Sequence, residues 1–152
     1  MGTKYKGSKS EISALDAAIK LLRASDNLVS KMSNELSTEG ITLSQFGILD
    51  AIYHLGPLTQ SVLGKKIFKS GGNVTHVIDN LEKQELVIRK RGVNDRRSFE
   101  IHLTSKGKRT FKQIFPGQVE LIKNYFKVLN NDEQESLKLS CKKIGLNNSG
   151  KI

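Results

Sequence analysis

Positive charge is concentrated in one short segment of the chain. Five cations fall within nine residues, namely Arg89, Lys90, Arg91, Arg96 and Arg97. Such a density of like charge is self-repelling unless phosphates or other anions neutralise it. Asp95 stands among the arginines, and a carboxylate can hold one guanidinium in place while another enters a minor groove. The segment favours contact with a nucleic acid, and a merely solvated charged loop is the alternative.

A second cluster precedes it and consists of small or hydrogen-bonding residues: Ser70, Gly71, Gly72, Asn73, Thr75 and His76. Residues of this kind let a helix N-terminus approach phosphates and base edges. The Asn73 amide can pair with both major-groove groups of adenine, and Thr75 or His76 could reach a thymine methyl or a guanine. The alternative is that Ser70 and Asn73 only cap a helix.

The overall composition agrees with a folded, basic protein. The 152 residues carry a formal net charge of +10, and 37% are hydrophobic against 26% charged. This charge points to a polyanionic partner, either a nucleic acid or an acidic membrane surface, or else to a basic surface that only confers solubility. No long apolar run is present, and the lone Cys141 cannot form an intrachain disulfide. We therefore expect a cytoplasmic protein without a membrane span.

The apolar spacing predicts the elements that position these residues. A stripe that includes Ile12, Leu15, Ile19 and Leu22 predicts a long helix over 10–37, longer than a small domain is wide, which suggests pairing. A capping box at Thr42, a cap at Thr59 and a start at Ser70 predict three shorter helices.

After these helices the spacing of the apolar residues changes from a helical period to an alternation with a period of two residues. Residues 86–91 and 99–103 predict a β hairpin, after which Thr104 caps another long helical region. A capping box at Asn130 opens a last helix, and Leu137, Cys141 and Ile144 share one of its faces.

These elements predict a mainly α fold with a small β hairpin, in one domain over residues 10–146. A helix, a tight turn, a helix and a hairpin form a winged helix-turn-helix, which places its second helix in the major groove and a β loop beside it. This DNA-binding lobe spans about 42–104, dimerisation helices span 10–37 and 105–146, and the ends at 1–9 and 147–152 are expected to be flexible tails. The hairpin residues expected at DNA are Arg89, Arg91, Asp95, Arg96 and Arg97.

Four segments together resemble the MarR-type transcriptional regulators. They are residues 43–49 (Leu-Ser-Gln-Phe-Gly-Ile-Leu), residues 73–83, residues 94–98 (Asn-Asp-Arg-Arg-Ser) and residues 103–107 (Leu-Thr-Ser-Lys-Gly). The resemblance implies that Asp95 braces the loop while Arg97 enters the minor groove. It also implies a homodimer formed by the first and last helices. This homodimer would act as a repressor that binds a palindromic operator on double-stranded DNA, and it would have a pocket for a small-molecule effector of unknown identity.

Two residues depart from the family pattern. Many relatives carry arginine where His76 stands, which makes base preference uncertain and affinity open to a mild pH dependence. Many also end the recognition helix with glycine, where this chain has Glu85, so we expect a helix end that is somewhat strained or differently shaped.

Other functions have less support. His54, His76 and His102 lack metal-ligand spacing, no second cysteine exists, and Gly71-Gly72 is not followed by the Gly-Lys-Ser/Thr of a phosphate loop. We therefore expect no enzyme, no metal and no cofactor. The remaining alternatives are a sequence-tolerant basic or architectural DNA-binding protein, and a redox-responsive regulator that uses Cys141. On an apolar helical face a buried, inert thiol is the simpler expectation for that cysteine.

Overall fold

The computed structural model describes residues 2–67, 71–93 and 97–148. Within these ranges the helices are α1 (Lys9–Thr38), α2 (Leu43–Leu55), α3 (Gln60–Lys66), α4 (Gly71–Lys83), α5 (Ser105–Phe126) and α6 (Asn131–Asn148). The strands are β1 (Leu58–Thr59), β2 (Val87–Arg91) and β3 (Phe99–Leu103). The predicted winged helix-turn-helix order, mainly α with a small hairpin, is confirmed.

Short polar side chains begin several helices, as their sequence predicts. The Gln45 N–H donates to Thr42 Oγ1 at 3.1 Å, and the Thr42 N–H donates to Gln45 Oε1 at 2.9 Å. Asn130 and Glu133 exchange the same pair of hydrogen bonds before α6. Thr59 accepts from the Val62 N–H at the start of α3. Each cap satisfies donors that a helix N-terminus otherwise leaves without partners.

Some residues of the predicted flexible tail over 1–9 make specific contacts. Ser8 caps α1 and forms a capping box with Glu11, and the hydrogen bonds to Ser8 hold the pKa of the Glu11 carboxyl below its ordinary value. The Thr3 N–H also donates to an Asp16 carboxylate oxygen at 2.6 Å. At the other end α6 continues to Asn148, so the predicted tail at 147–152 begins inside a helix and its last four residues lie outside the described ranges.

The sheet has three antiparallel strands in the order β1-β3-β2, one more than the predicted hairpin. Val87 pairs with Leu103 and Arg91 with Phe99 across the hairpin, while Leu58 pairs with Ile101 on the other side of β3. The added strand contains only two residues. It gives the central strand a neighbour on both edges, and Ile101 at its middle is fully buried.

The core lies where the helix-turn-helix, the sheet and the first half of α5 meet. Its fully buried side chains include Leu36, Ile48, Leu49, Leu63, Val74, Ile78, Leu81, Ile101 and Phe111. Phe111 stacks on Phe46 with ring centroids 5.8 Å apart and on Phe115 at 5.0 Å. The start of α5 therefore packs in the same core as the helix-turn-helix and the sheet.

The chain divides into two compact units, Met1–Gln118 and Val119–Ile152, with the boundary inside α5. In the second unit the Gln134 amide donates to the backbone oxygens of Phe126 and Leu129 at 3.2 and 3.1 Å, which ties α6 to the end of α5.

A tight corner joins α4 to β2. The Leu86 N–H reaches back to the Leu81 oxygen and the Glu85 N–H to the Glu82 oxygen, both at 2.9 Å, which is the Schellman pattern of a helix end. Glu85 stands at the left-handed position with φ 61°. At the equivalent position after α1 the chain has Gly40, with φ 70°. The predicted strain at the end of the recognition helix is therefore present.

The start of α5 packs against this same corner. Thr104 Oγ1 donates to the Glu85 oxygen at 2.6 Å, and the Thr104 N–H donates to the Leu86 oxygen at 3.1 Å. A Cβ atom on Gly107 would lie 2.0 Å from the Leu86 oxygen, so only glycine fits there. Because the corner and the first turn of α5 fix both ends of the hairpin, the base of the hairpin is held firmly.

Replacing Glu85 by glycine should stabilise the protein. A left-handed non-glycine residue costs about 1 to 2 kcal/mol, whereas a glycine adds about 0.4 to 1 kcal/mol of unfolded-state entropy, so we expect a net gain of about 0.5 to 1 kcal/mol. Denaturant unfolding measures it. Glu85→Ala is the control, because it removes the same carboxylate but keeps Cβ and should give no gain. A Glu85→Gly variant no more stable than wild type would contradict the strain.

Candidate nucleic-acid interface

Helix α4 buries one face and exposes the other. Val74, Val77, Ile78 and Leu81 point into the core. Asn73, Thr75 and His76 are exposed. Gly71 and Gly72 form the first residues of the helix, and Ser70 lies outside the described residues. The structure thus brings the described polar residues of the predicted recognition helix onto its solvent side.

Two side-chain contacts organise this exposed face. The Gln60 amide at the start of α3 donates to Thr75 Oγ1. The Asn80 amide lies 3.2 Å from His76 Nε2, one turn along α4. Gln60 is not among the predicted site residues, because its contact from α3 to α4 leaves no trace in the local sequence pattern. Asn80 lies in the family-like segment 73–83 but is not among the predicted site residues either. The recognition face therefore includes a residue from the first helix of the motif.

The hairpin carries exposed cations beside α4. Lys90, Arg91 and Arg97 are exposed, and the Gly92 N–H donates to the Ser98 oxygen at 2.9 Å where the strands diverge. Asp95 and Arg96 lie outside the described residues. The predicted bracing of the loop by Asp95 therefore also lies outside them. Arg91 and Arg97 are thus placed where a β loop can reach a groove beside the recognition helix.

Arg89 is placed differently from the prediction, which grouped it with the DNA-contacting arginines. Its guanidinium donates to Asp79 Oδ1 at 2.5 Å and to Glu82 Oε2, and its backbone N–H donates to Glu82 Oε1 at 3.2 Å. Burial acts to lower the pKa of Arg89, but the hydrogen bonds to both carboxylates outweigh it and leave the pKa raised. Two carboxylates of α4 occupy both terminal nitrogens of this guanidinium, and the contact joins the hairpin to the recognition helix.

The faces predicted for pairing are apolar and uncovered in the single chain. On α1 the side chains of Leu15 and Leu22 are 41% and 66% exposed, and Ile12 and Ile19 are half-buried. On α6, taken by itself, Leu137 and Ile144 are 37% and 54% exposed, and Cys141 is exposed too. The expectation of a buried Cys141 is therefore not met within one chain. Exposed apolar surface of this extent is typical of an interaction surface.

A hollow of about 870 Å³ lies within the first unit, between α1, α2 and the end of α3. Its walls are mainly apolar, with Val29, Met32, Phe46 and Ile67 among them. Asp50, His54 and Lys66 supply polar groups, and His54 Nδ1 lies 3.1 Å from Asp50 Oδ1. An apolar cavity with a few polar groups is the usual form of a small-molecule site.

Metal and membrane sites have no counterpart in the part of the chain that the structure describes. There, no three His, Cys, Asp or Glu side chains cluster as metal ligands would. None of the described helices is both long and apolar enough to cross a membrane.

The fold and this surface define a winged helix-turn-helix regulator of the DNA-binding type. The family model of the MarR family matches residues 41–99. The HTH-type transcriptional regulator MhqR of Bacillus subtilis is 33% identical over 134 residues, which cover 88% of this chain and 92% of that protein. The chain therefore belongs to the MarR family of transcriptional regulators, and its relatives are regulators, not enzymes, as the sequence predicts.

Solved structures agree with this assignment. AbsC, a MarR family regulator from Streptomyces coelicolor, superposes with a TM-score of 0.86, covering 97% of this chain and all of AbsC, at 21% identity. A cysteine-to-serine mutant of MarR from E. coli, complexed with operator DNA, superposes with a TM-score of 0.76 at 27% identity, covering 91% of this chain and 99% of that one.

Removing the Arg89 guanidinium should destabilise the lobe. Arg89→Met keeps the apolar stem but leaves Asp79 and Glu82 as neighbouring like charges, so we expect a loss of about 1 kcal/mol, reduced by the water around both carboxylates. Thermal melting measures it. Lys90→Met, at the next and exposed position of β2, is the control and should change stability by less than about 0.5 kcal/mol. Equal effects of the two variants would show that the contacts with α4 contribute nothing.

Proposed function

We propose that this MarR-family regulator binds a palindromic operator as a homodimer and acts as a cytoplasmic repressor that a small-molecule effector releases. One observation carries the proposal. The exposed polar face of α4, with Asn73, Thr75 and His76, lies next to a hairpin that carries exposed Arg91 and Arg97. This pairing fits a helix in the major groove and a cationic loop in the adjacent minor groove. The operator complex of E. coli MarR supports it by similarity.

The uncovered apolar faces of α1 and α6 support the homodimer. Burying Leu15, Leu22, Leu137 and Ile144 against a second copy would remove apolar surface from water, at about 25 cal/mol per Å². A two-fold pair presents two identical lobes, so that its operator has half-sites about one helical turn apart. A second copy on these faces would also cover Cys141, which favours an inert thiol over a redox switch.

The hollow beside α2 supports control by an effector. Its volume of about 870 Å³ lies in the range of ligand pockets, and its walls come from both α1 and the helix-turn-helix. A ligand releases DNA only if it binds more tightly to the arrangement that does not fit the operator. Asp50, His54 and Lys66 are the polar groups available to orient such a ligand.

Selection of bound duplexes from a random pool tests the proposal. We expect a palindromic sequence, bound roughly a thousandfold or more tightly than random duplex at equal salt. A sequence-tolerant architectural protein would instead enrich no common sequence, because phosphate attraction is nearly independent of sequence. An asymmetric product, or none, would overturn the proposed homodimeric operator binding.

Arg97→Ala should weaken operator binding without unfolding the protein. The side chain is an exposed loop cation, so we expect a loss of operator affinity with stability kept within about 0.5 kcal/mol. Titration of a labelled operator and thermal melting measure the two quantities. Lys123→Ala, an exposed cation in the second unit, is the control and should bind as wild type does. A large loss of stability in Arg97→Ala would count against its place in the loop.

Asn73→Ala should relax base preference at one position of each half-site. An amide paired with adenine contributes about 1 to 3 kcal/mol of discrimination, which the variant loses. Affinities for operators with each base substituted in turn measure this. Equal weakening on all sequences would make Asn73 a phosphate contact instead.

A further inference from the structure

The side chain of Gln60 extends from α3 onto the recognition face of α4. Gln60 is the first residue of α3, and its Nε2 donates to Thr75 Oγ1, fifteen residues later in the chain. Among the residues that the structure describes, this amide has no second hydrogen-bond partner. Thr75 is exposed on α4 between Asn73 and His76. The amide group of Gln60 is therefore held over the surface that faces DNA in the proposed function.

The remaining hydrogen-bonding capacity of this amide matches adenine. A glutamine amide has two N–H donors and an acceptor oxygen. One donor is used by Thr75. Where this donor is the N–H that points away from Oε1, the second N–H and Oε1 lie side by side. Adenine presents an acceptor, N7, beside a donor, N6, in the major groove, and glutamine pairs with both at once. No other base presents this pair in the same order.

The contact with Thr75 also lowers the entropic cost of base recognition by Gln60. A free glutamine side chain loses conformational entropy when it is fixed. Because Thr75 already fixes the amide in the unbound protein, part of that cost falls on folding and not on binding. Gln60 would thus meet the base in a prepared orientation.

We infer that Gln60 reads an adenine in each half-site and that Thr75 acts as its positioning residue. The inference rests on the proposed operator binding and adds a base-reading residue from the first helix of the motif. It makes Gln60 and Thr75 one functional pair that governs one base position.

Base preference measured at every position of the operator selected by wild type tests the pair. In Gln60→Ala we expect the adenine preference at one position per half-site to fall roughly 5- to 150-fold, with other positions unchanged. Gln60→Glu keeps the length of the side chain but replaces the donor by an acceptor. It should shift that same position towards cytosine, whose N4 donates to carboxylates.

Thr75→Val tests the positioning role. Valine keeps the shape of threonine and the methyl that a thymine contact would use, but it cannot accept from Gln60. We expect the adenine preference at the same position to fall roughly 2- to 10-fold, as expected when a side chain must be ordered on binding. In the Gln60→Ala background the Thr75 change should have no further effect at that position.

Gln113→Ala is the matched control, because Gln113 is an exposed glutamine on α5 away from α4, and it should bind as wild type does. Melting curves confirm that each variant is folded. If Gln60→Ala weakens binding equally on all bases, or leaves the preference unchanged, the inference is wrong, as it also is if the two residues govern different positions. If wild type selects no common sequence, the proposed function has failed instead.

Discussion

The contact of Arg89 with Asp79 and Glu82 determines how the two DNA-facing elements are placed relative to each other. The recognition helix and the hairpin are separate elements, which the corner at Glu85 and the first turn of α5 join at the base of the hairpin. Glu82 accepts from both the backbone and the guanidinium of Arg89, and Asp79 accepts from the other arm of the same guanidinium. Because a planar guanidinium fixes direction as well as distance, it sets the angle of the hairpin to α4. In the proposed function, this fixed placement reduces the ordering that operator recognition requires at the moment of binding.

Features decided within a few residues were predictable from the sequence. The strained end at Glu85 was expected from the family resemblance and not from the local pattern. The capping boxes at Thr42 and Asn130 and the cap at Thr59 arise from interactions between residues three apart. Their energies are local, so the residue pattern contains the relevant information. The box of Ser8 and Glu11 carries the same pattern, yet it was overlooked because a polar, glycine-containing segment surrounds it.

Features decided by tertiary contact were not predictable in this way. Strand β1 is too short for any period, and it exists because Leu58 and Thr59 pair with the exposed edge of β3. Arg89 looks like its basic neighbours in sequence, and only folding brings Asp79 and Glu82 against it. The same is true of Gln60, whose partner Thr75 lies on another helix. In each case a residue type was visible, but its partner was not.

The location of the hollow shows how occupancy could reach the DNA-facing surface. Val29, Met32 and Ser33 line it from α1, the helix whose apolar stripe is available for pairing, while Lys66 and Ile67 line it from the end of α3. A ligand in contact with both sides would bind best at one separation of α1 from the helix-turn-helix. Since Arg89 holds the hairpin to α4, and Gln60 connects α3 to Thr75, a displacement of α3 would shift the residues proposed to contact the operator as a group. Such a shift changes operator affinity only if the ligand binds one separation of α1 from the helix-turn-helix more tightly than another. The size of the effect is set by this difference in ligand affinity.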